Sequence, residues 1–450
     1  MNPNILFILI DGARADQIFN PKKKSKMPNI DSLIKKGISF TNCFSSVDGT
    51  TISLNCIFNS IYPTKIGLRA KKLILKNNNF LNQLKENGYH IFGYIPKVSS
   101  FDYMIELFEN SNNTFYAGPP AKHVSETKKE ILKILDSIKL KKPWFYFIHL
   151  LDTSALRRES SPFGIPEFLA KKFGDTPYDK MMSSIDYGIG KILEKIELEK
   201  TIIVITSDHG SLIPFENIGF TDFEPSFERE INIGKKLMPE STHKVGGKIF
   251  SKVRNLVRES RLKKAAKGLP LYEQRSRLPY FKQSLYDESI RVPLIISGSK
   301  ILPKKISFLM SNMDIFPTIF DILGLKMNKE NIDGRSLRPI LDNQELKEKP
   351  IFLHTMPHEK IEEDDAVGIR TAKYKFLRSA NDPKKNRYLY DIELDQFENN
   401  NIIENNSDVV KKLETILEDI KSSLSIEETG DISEEETKKI EAELKKLGYM

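Results

Sequence analysis

Cysteine is scarce in this chain: Cys43 and Cys56 are the only two among 450 residues. Two thiols are too few for a disulfide framework or a thiolate metal site, and as free buried side chains they fit a reducing cytoplasm. Long apolar runs are missing as well. No run approaches the roughly 20 residues that span a bilayer. The apolar opening NILFILID, Asn4 to Asp11, passes directly into polar Gly12 to Gln17 without the pattern of a secretory leader. The expectation is a soluble, cytoplasmic protein. Glycine and proline number 23 each and 29% of residues are charged, which excludes collagen-like and grossly disordered classes. The 39% of hydrophobic residues suffice for a large core, and the length suits one big domain with a smaller companion.

A strong excess of one charge sign is also absent, except in one place. The chain carries 69 Lys+Arg against 61 Asp+Glu, yet Ile231 to Lys282 alone holds 14 basic and three acidic residues, so everything outside it is slightly acidic. Within that stretch Ile249, Phe250, Val253, Leu256 and Val257 fall at helical spacing among Lys252, Arg254, Arg258, Arg261, Lys263 and Lys264. A basic amphipathic helix of this kind lies on anionic lipid, covers an acidic substrate, or docks on its own domain. Peripheral membrane contact through residues 245–264, at the inner membrane face, is one expectation. Nucleic acid is not an expected partner, because no interleaved aromatic or zinc pattern accompanies the charge.

Short β-rich apolar runs alternate with amphipathic ones. NILFILI (4–10), YHIFGYI (89–95), PWFYFIHLL (143–151), TIIVIT (201–206) and RVPLIISG (291–298) read as buried strands. Met27 to Lys36, Ser125 to Ile138, Asp314 to Leu323 and Asp333 to Leu341 read as helices, with further strands at Ala366 to Leu377 and Tyr388 to Ile392. The fold class is therefore α/β: a large, mostly parallel sheet between helices, with its ligand site at the carboxyl ends of the strands, and a smaller C-terminal α+β domain. The boundaries are a catalytic domain over 1–348, interrupted by the basic insertion 231–282, and a subdomain over 349–450 that ends in a charged helix.

Two strand ends carry carboxylates: Asp11 after NILFILI, and Asp208, followed by His209, after TIIVITS. Carboxylate oxygens and an imidazole hold a divalent cation well, although an Asp in such a place also serves as a helix N-cap. A third piece is the loop Val47 to Ser53 (VDGTTIS), where a hydroxyl at a helix N-terminus beside a metal can act as a nucleophile or simply cap the helix.

In this setting the chain resembles the sulfatase family of the alkaline phosphatase superfamily. The resemblance rests on PNILFILIDGARAD, MPNIDSLIKKGISFTN, SIYPTKIG, ITSDHG, LYDESIRVPLIISG, DIFPTIFDILG, GIRTAKYKFLR and LYDIELDQFENNN, in family order from end to end. It implies a hydrolase or transferase of phosphate or sulfate esters. The family nucleophile lies thirteen positions before the Pro of its Tyr-Pro block, here Pro63, which implies Thr50. True sulfatases have there a Cys or Ser that becomes formylglycine, with Pro and Arg two and four residues on; this chain has Thr50, Ile52 and Leu54. Formylglycine cannot be made from Thr. The string TTISLNCIF instead is similar to the nucleophile loop of phosphoethanolamine transferases, in which a Thr alkoxide takes up the phosphoryl group.

The resemblance further implies one divalent metal held by Asp11, Thr50, Asp208 and His209. Many sulfatases carry a second Asp where this chain has Gly12, which favours zinc or manganese and leaves calcium open. Lys282, four residues before Tyr286, matches the lysine that binds the ester oxyanion. His149 matches the first His of the family's His block and is a candidate for catalysis or substrate binding, while Ser154 replaces the second. Lys97 is a stand-in for a missing Lys-Trp-His block; His354, His358 and Asp152 are secondary candidates. The expected partner is an anionic ester, lipid- or glycan-linked. Two rival readings stay open: a sulfuric ester hydrolase without formylglycine, and a non-catalytic anion-binding relative.

Overall fold

A computed structural model describes residues 2–65, 73–116, 124–139, 141–157, 166–211, 213, 243–277, 285–355 and 365–423. Its main sheet is built from β1 (Asn4–Ile10), β2 (Ile38–Phe44), β3 (His90–Pro96), β4 (Phe115–Tyr116), β5 (Trp144–Leu150), β6 (Thr201–Thr206), β7 (Arg291–Gly298), β8 (Lys304–Ile306) and β9 (Met310–Ser311). The spatial order is β4-β3-β5-β1-β6-β7-β2-β8, with β9 also beside β2. Every pairing is parallel except those of β7, which runs antiparallel to both β6 and β2.

Strand β1 is buried at every position because it lies mid-sheet with both faces covered. Ile5, Phe7 and Leu9 face a layer containing the Thr50–Asn59 and Ile315–Leu323 helices, where Phe7 stacks on Phe316 at 5.4 Å between ring centroids. Leu6, Ile8 and Ile10 face the opposite layer, formed by the Pro28–Lys36, Val124–Ile138 and Pro177–Leu193 helices. The Pro177–Leu193 helix was not among the expected elements, although its start is legible: Thr176 and Asp179 form a capping box around Pro177. Strand β2 was missed too, since ISFTNCF lacks the continuous aliphatic run of its neighbours.

The second sheet, β10 (Ile351–His354), β11 (Ala366–Arg370), β12 (Tyr374–Ser379) and β13 (Tyr388–Asp391), is fully antiparallel. The run Ala366 to Leu377 is thus two strands, not one: Thr371 accepts Tyr374 N–H on its hydroxyl and turns the chain between them. Asp333 to Leu341 is helical only over Arg338–Leu341. Asp333 and Gly334 N–H groups instead donate to Ser60 C=O at 2.7 and 3.0 Å, and Asp333 accepts from Tyr62 N–H at 2.9 Å. Those bonds hold the chain in a non-helical tie. The charged terminal helix expected beyond Ile426 lies outside the described residues.

Buried charge joins the two sheets. Lys375 on β12, fully buried, places Nζ 2.8 Å from Asp287 and 2.7 Å from Glu398. Asp287 also meets Arg370 at 3.3 Å. Burial alone would raise the Asp287 carboxyl, but Arg370 and Lys375 hold it well below the usual range. Removing one member of such a set leaves uncompensated charge in the interior. Lys375→Met is therefore expected to lower the unfolding free energy by about 3–5 kcal/mol. Urea denaturation would read this as a lower midpoint, and a loss below about 1 kcal/mol would show that the cluster does not tether the sheets.

Candidate active site

The site sits at the carboxyl ends of β5, β1 and β6, three adjacent parallel strands. Their register pairs Leu9 with His149 on one side and with Thr206 on the other, so Asp11, the end of β5 and Ser207-Asp208-His209 emerge together. Asp11 N–H donates to Leu150 C=O at 2.9 Å, which carries the pairing one residue past the strand. The loop after β2 opens on the same edge and delivers Thr50 as the first residue of the Thr50–Asn59 helix, after Gly49. All ten residues of that helix are buried, because it is wedged between the main sheet and the C-terminal sheet.

Thr50 Oγ1 lies 3.2 Å from Asp11 Oδ2 and 3.1 Å from His209 Nε2. Asp208 is fixed through one oxygen only: Oδ1 accepts from Gly12 N–H at 3.1 Å, His209 N–H at 2.9 Å and Ser207 Oγ at 3.2 Å. Neither Asp11 nor Asp208 caps a helix. Asp208 Oδ2 is buried without a hydrogen-bond partner and lies 3.4 Å from His209 Nε2. His209 Nδ1 is 2.6 Å from Gly210 C=O, a contact that requires the proton on Nδ1 and turns Nε2 toward Thr50 and Asp208.

A buried carboxylate oxygen without a hydrogen-bond partner calls for a compensating positive charge. Ligand atoms of Asp11, Asp208 and His209 all fall within 4.8 Å of one another. The donor set of two carboxylates and a neutral imidazole beside a hydroxyl therefore fits a divalent ion. Among the described residues this is the only such group. Gly12 explains why no second Asp follows Asp11: its φ is +64°, and a Cβ there would come within 2.9 Å of Ser211 Cβ.

His149 is fully buried, with Nε2 3.6 Å from Asp11 Oδ2 and no hydrogen-bond partner on either ring nitrogen. It therefore borders the cluster. Asp152 is buried just past β5, whereas Lys97 is exposed beyond β3. His354 has another place: its N–H donates to Ser46 C=O at 2.9 Å and its ring binds Thr355 C=O, so it braces the loop leading to Thr50. Lys282 and His358 lie outside the described residues.

Several supports were not anticipated. Ser53 donates to Asp208 C=O at 2.8 Å and accepts from Asn312 Nδ2 at 3.0 Å, linking the Thr50 helix to the metal-side loop. Thr153 donates to Asp11 C=O, and Tyr116 to His149 C=O at 2.7 Å. Short polar residues next to strand ends were the available signal. Their partners are remote in sequence, so spacing could not pair them.

Fold and site together define the class, an α/β protein with a large, mostly parallel sheet and a buried carboxylate-imidazole-hydroxyl cluster at its strand ends. Residues 3–325 match the family model described as Sulfatase, and residues 278–423 match one described as N-sulphoglucosamine sulphohydrolase, C-terminal. The chain belongs to the sulfatase family. Curated relatives include human (Homo sapiens) N-acetylglucosamine-6-sulfatase, 48% identical over 65 residues, 14% of this chain and 12% of that protein. Choline-sulfatase of Rhizobium meliloti is 33% identical over 128 residues, 28% of this chain and 24% of that protein. The chain thus matches an eighth to a quarter of the length of these two relatives. Among solved structures, a 2-O GAG sulfatase superposes with a TM-score of 0.65 at 14% identity, covering 94% of this chain and 93% of the other. The phosphonate monoester hydrolase of Agrobacterium radiobacter superposes with a TM-score of 0.61 at 17% identity, covering 96% and 98%. Both likenesses are of fold.

Behind the site, fully buried Arg14 pairs with Asp16 at 2.8 Å and reaches Tyr272. Burial would raise the Asp16 carboxyl, but Arg14 and the hydrogen bonds from Arg14, Tyr272 and Gln17 bring it to about 2. A folded-state pKa below the unfolded one gives stability that is complete above the unfolded value near 4 and lost as pH falls toward 2. Wild type is expected to exceed Asp16→Asn by about 2 kcal/mol at neutral pH, with the gap closing between about pH 4 and pH 2 in denaturant titrations. A gap that does not change with pH would refute the assignment. Ser53→Ala should cost about 1–3 kcal/mol, because it strips partners from buried Asn312 and Asp208 C=O; a neutral melting temperature would count against that link.

Proposed function

We propose that the protein is a metal-dependent hydrolase or transferase of phosphate esters, with Thr50 as nucleophile and Asp11, Thr50, Asp208 and His209 around one divalent ion. The observation that carries this reading is the approach of Thr50 Oγ1 to Asp11 and His209 at 3.2 and 3.1 Å, at the start of a buried helix. Zinc or manganese suits the mixed oxygen and nitrogen donors. When bound, the ion lowers the pKa of a neighbouring hydroxyl and neutralises charge on ester oxygens.

The chain's own groups supply the rest. Asp11 Oδ2 stands at hydrogen-bond distance to accept the Thr50 proton. Thr50 Oγ1 then forms a bond to phosphorus as the bond from phosphorus to the leaving oxygen breaks. His149, with both ring nitrogens uncommitted, is the proposed source of the leaving group's proton. The first N–H groups of the Thr50–Asn59 helix favour the anionic ester. Water or an acceptor hydroxyl releases the phosphoryl group from Thr50. Lys282 is the proposed partner of the ester oxyanion.

The substrate is an anionic ester, lipid- or glycan-linked. A glycan is supported by family neighbours, among them a structure in complex with its substrate D-glucosamine-2-N,6-O-disulfate. Hydrolysis of a sulfate ester by unmodified Thr50 is the second reading, favoured by the sulfatases among the fold neighbours.

Matched p-nitrophenyl phosphate, phosphodiester, phosphonate and sulfate esters would separate the readings, tested with zinc, manganese or calcium. The expected outcome is phosphoester or phosphonate turnover that falls at least about a thousandfold in Thr50→Ala. Mass spectrometry of quenched turnover should find the phosphoryl group on the Thr50 peptide. Turnover that survives in Thr50→Ala would overturn the nucleophile, and Thr50-dependent sulfate turnover would select the second reading. For the metal, zinc or manganese should raise the melting temperature of wild type, and Asp208→Asn should weaken that shift by more than about tenfold in metal concentration. Equal shifts in both proteins would remove Asp208 from the ion's shell.

A further inference from the structure

The basic stretch forms a 24-residue helix, His243–Ala266. An amphipathic helix docked on its own domain hides its larger aliphatics, yet two of those among the described side chains of this one are exposed. Leu256 is 60% exposed and Val253 45% exposed, whereas Leu262, about half a turn around the helix from Val253 and about a third of a turn from Leu256, is 3% exposed and faces the protein. Lys263 and Lys264 are exposed and fall on the same outward stripe as Val253 and Leu256. The whole helix carries eight Lys+Arg and one acid, Glu259.

We propose that this outward face is a docking surface for an anionic lipid bilayer. Charge complementarity selects a polyanion, and the aliphatic pair selects a bilayer among polyanions. A nucleic acid or an acidic glycan would leave Val253 and Leu256 in water, while the headgroup boundary takes up apolar side chains and meets lysines at its surface. A second copy of the same face would set lysine against lysine. The segment that follows the helix is held near the site. Tyr272, six residues past the helix end, binds Arg14 and Asp16, and Ser276 C=O accepts from Ile213 N–H at 2.7 Å, four residues after His209.

Flotation of the full chain with vesicles of phosphatidylcholine alone, or with about one-third phosphatidylglycerol, tests this. Binding to the anionic vesicles is expected to be more than about tenfold tighter than to neutral ones and to weaken as salt rises. Val253→Ser with Leu256→Ser, and separately Lys263→Gln with Lys264→Gln, should each weaken it by about tenfold at an unchanged melting temperature. No binding to anionic vesicles at low salt would overturn the proposal. So would binding indifferent to Val253→Ser with Leu256→Ser, which marks mere cation adsorption, or capture by heparin or an acidic protein without capture by vesicles.

Discussion

The hydrogen bond from Gly12 N–H to Asp208 Oδ1 is the contact on which the site depends, because it locks the ends of β1 and β6 together and decides which oxygen of Asp208 is left over. With Oδ1 saturated by three donors, Oδ2 has nothing to bind and turns to His209 Nε2. A buried carboxylate oxygen without a hydrogen-bond partner is unfavourable in isolation and becomes favourable beside a cation. The parallel register of β5, β1 and β6 supplies the rest: it brings Asp11 and His149 to the same edge at fixed depth.

Glycine at two positions makes this packing feasible. At Gly12 the backbone is left-handed, and any Cβ would press on Ser211. At Gly210 a Cβ would lie 2.0 Å from Glu288 C=O, so the chain after His209 runs against the segment before β7 with no room for a side chain. That contact continues into the Arg275, Glu288, Asp287 and Lys375 cluster, where Arg275 meets Glu288 at 2.9 Å and Lys375 reaches Asp287 and Glu398. The site and the C-terminal sheet are thereby parts of one packed unit. His354 strengthens this from the other side by bonding the loop that delivers Thr50.

The Thr50–Asn59 helix begins without a side-chain cap. Gly49 precedes the helix without a side-chain cap, so the hydroxyl of Thr50 is not spent on the helix's own N–H groups. Its neighbours are a carboxylate and an imidazole instead. Ser53, one turn later, fixes the helix against Asp208 through a backbone carbonyl, which sets how closely Thr50 approaches the metal-side loop.

Sequence alone determined the parallel core strands, their carboxylate-bearing ends and the family, because continuous aliphatic runs and ordered motif blocks are local signals. NILFILI followed by Asp11, and TIIVIT followed by Asp208 and His209, announced both strand and chemistry. Strand β2 was not legible, since ISFTNCF owes its burial to β7 and β8 beside it and not to its own composition. The outward turn of Val253 and Leu256 was equally invisible, because helical spacing defines a face but not what the face meets. Only the tertiary structure decided that Ser53 supports Asp208, that His354 braces a loop and that Asp208 Oδ2 is left without a partner. Each of these depends on groups far apart in the chain meeting at one depth, and a one-dimensional pattern carries no information about that distance.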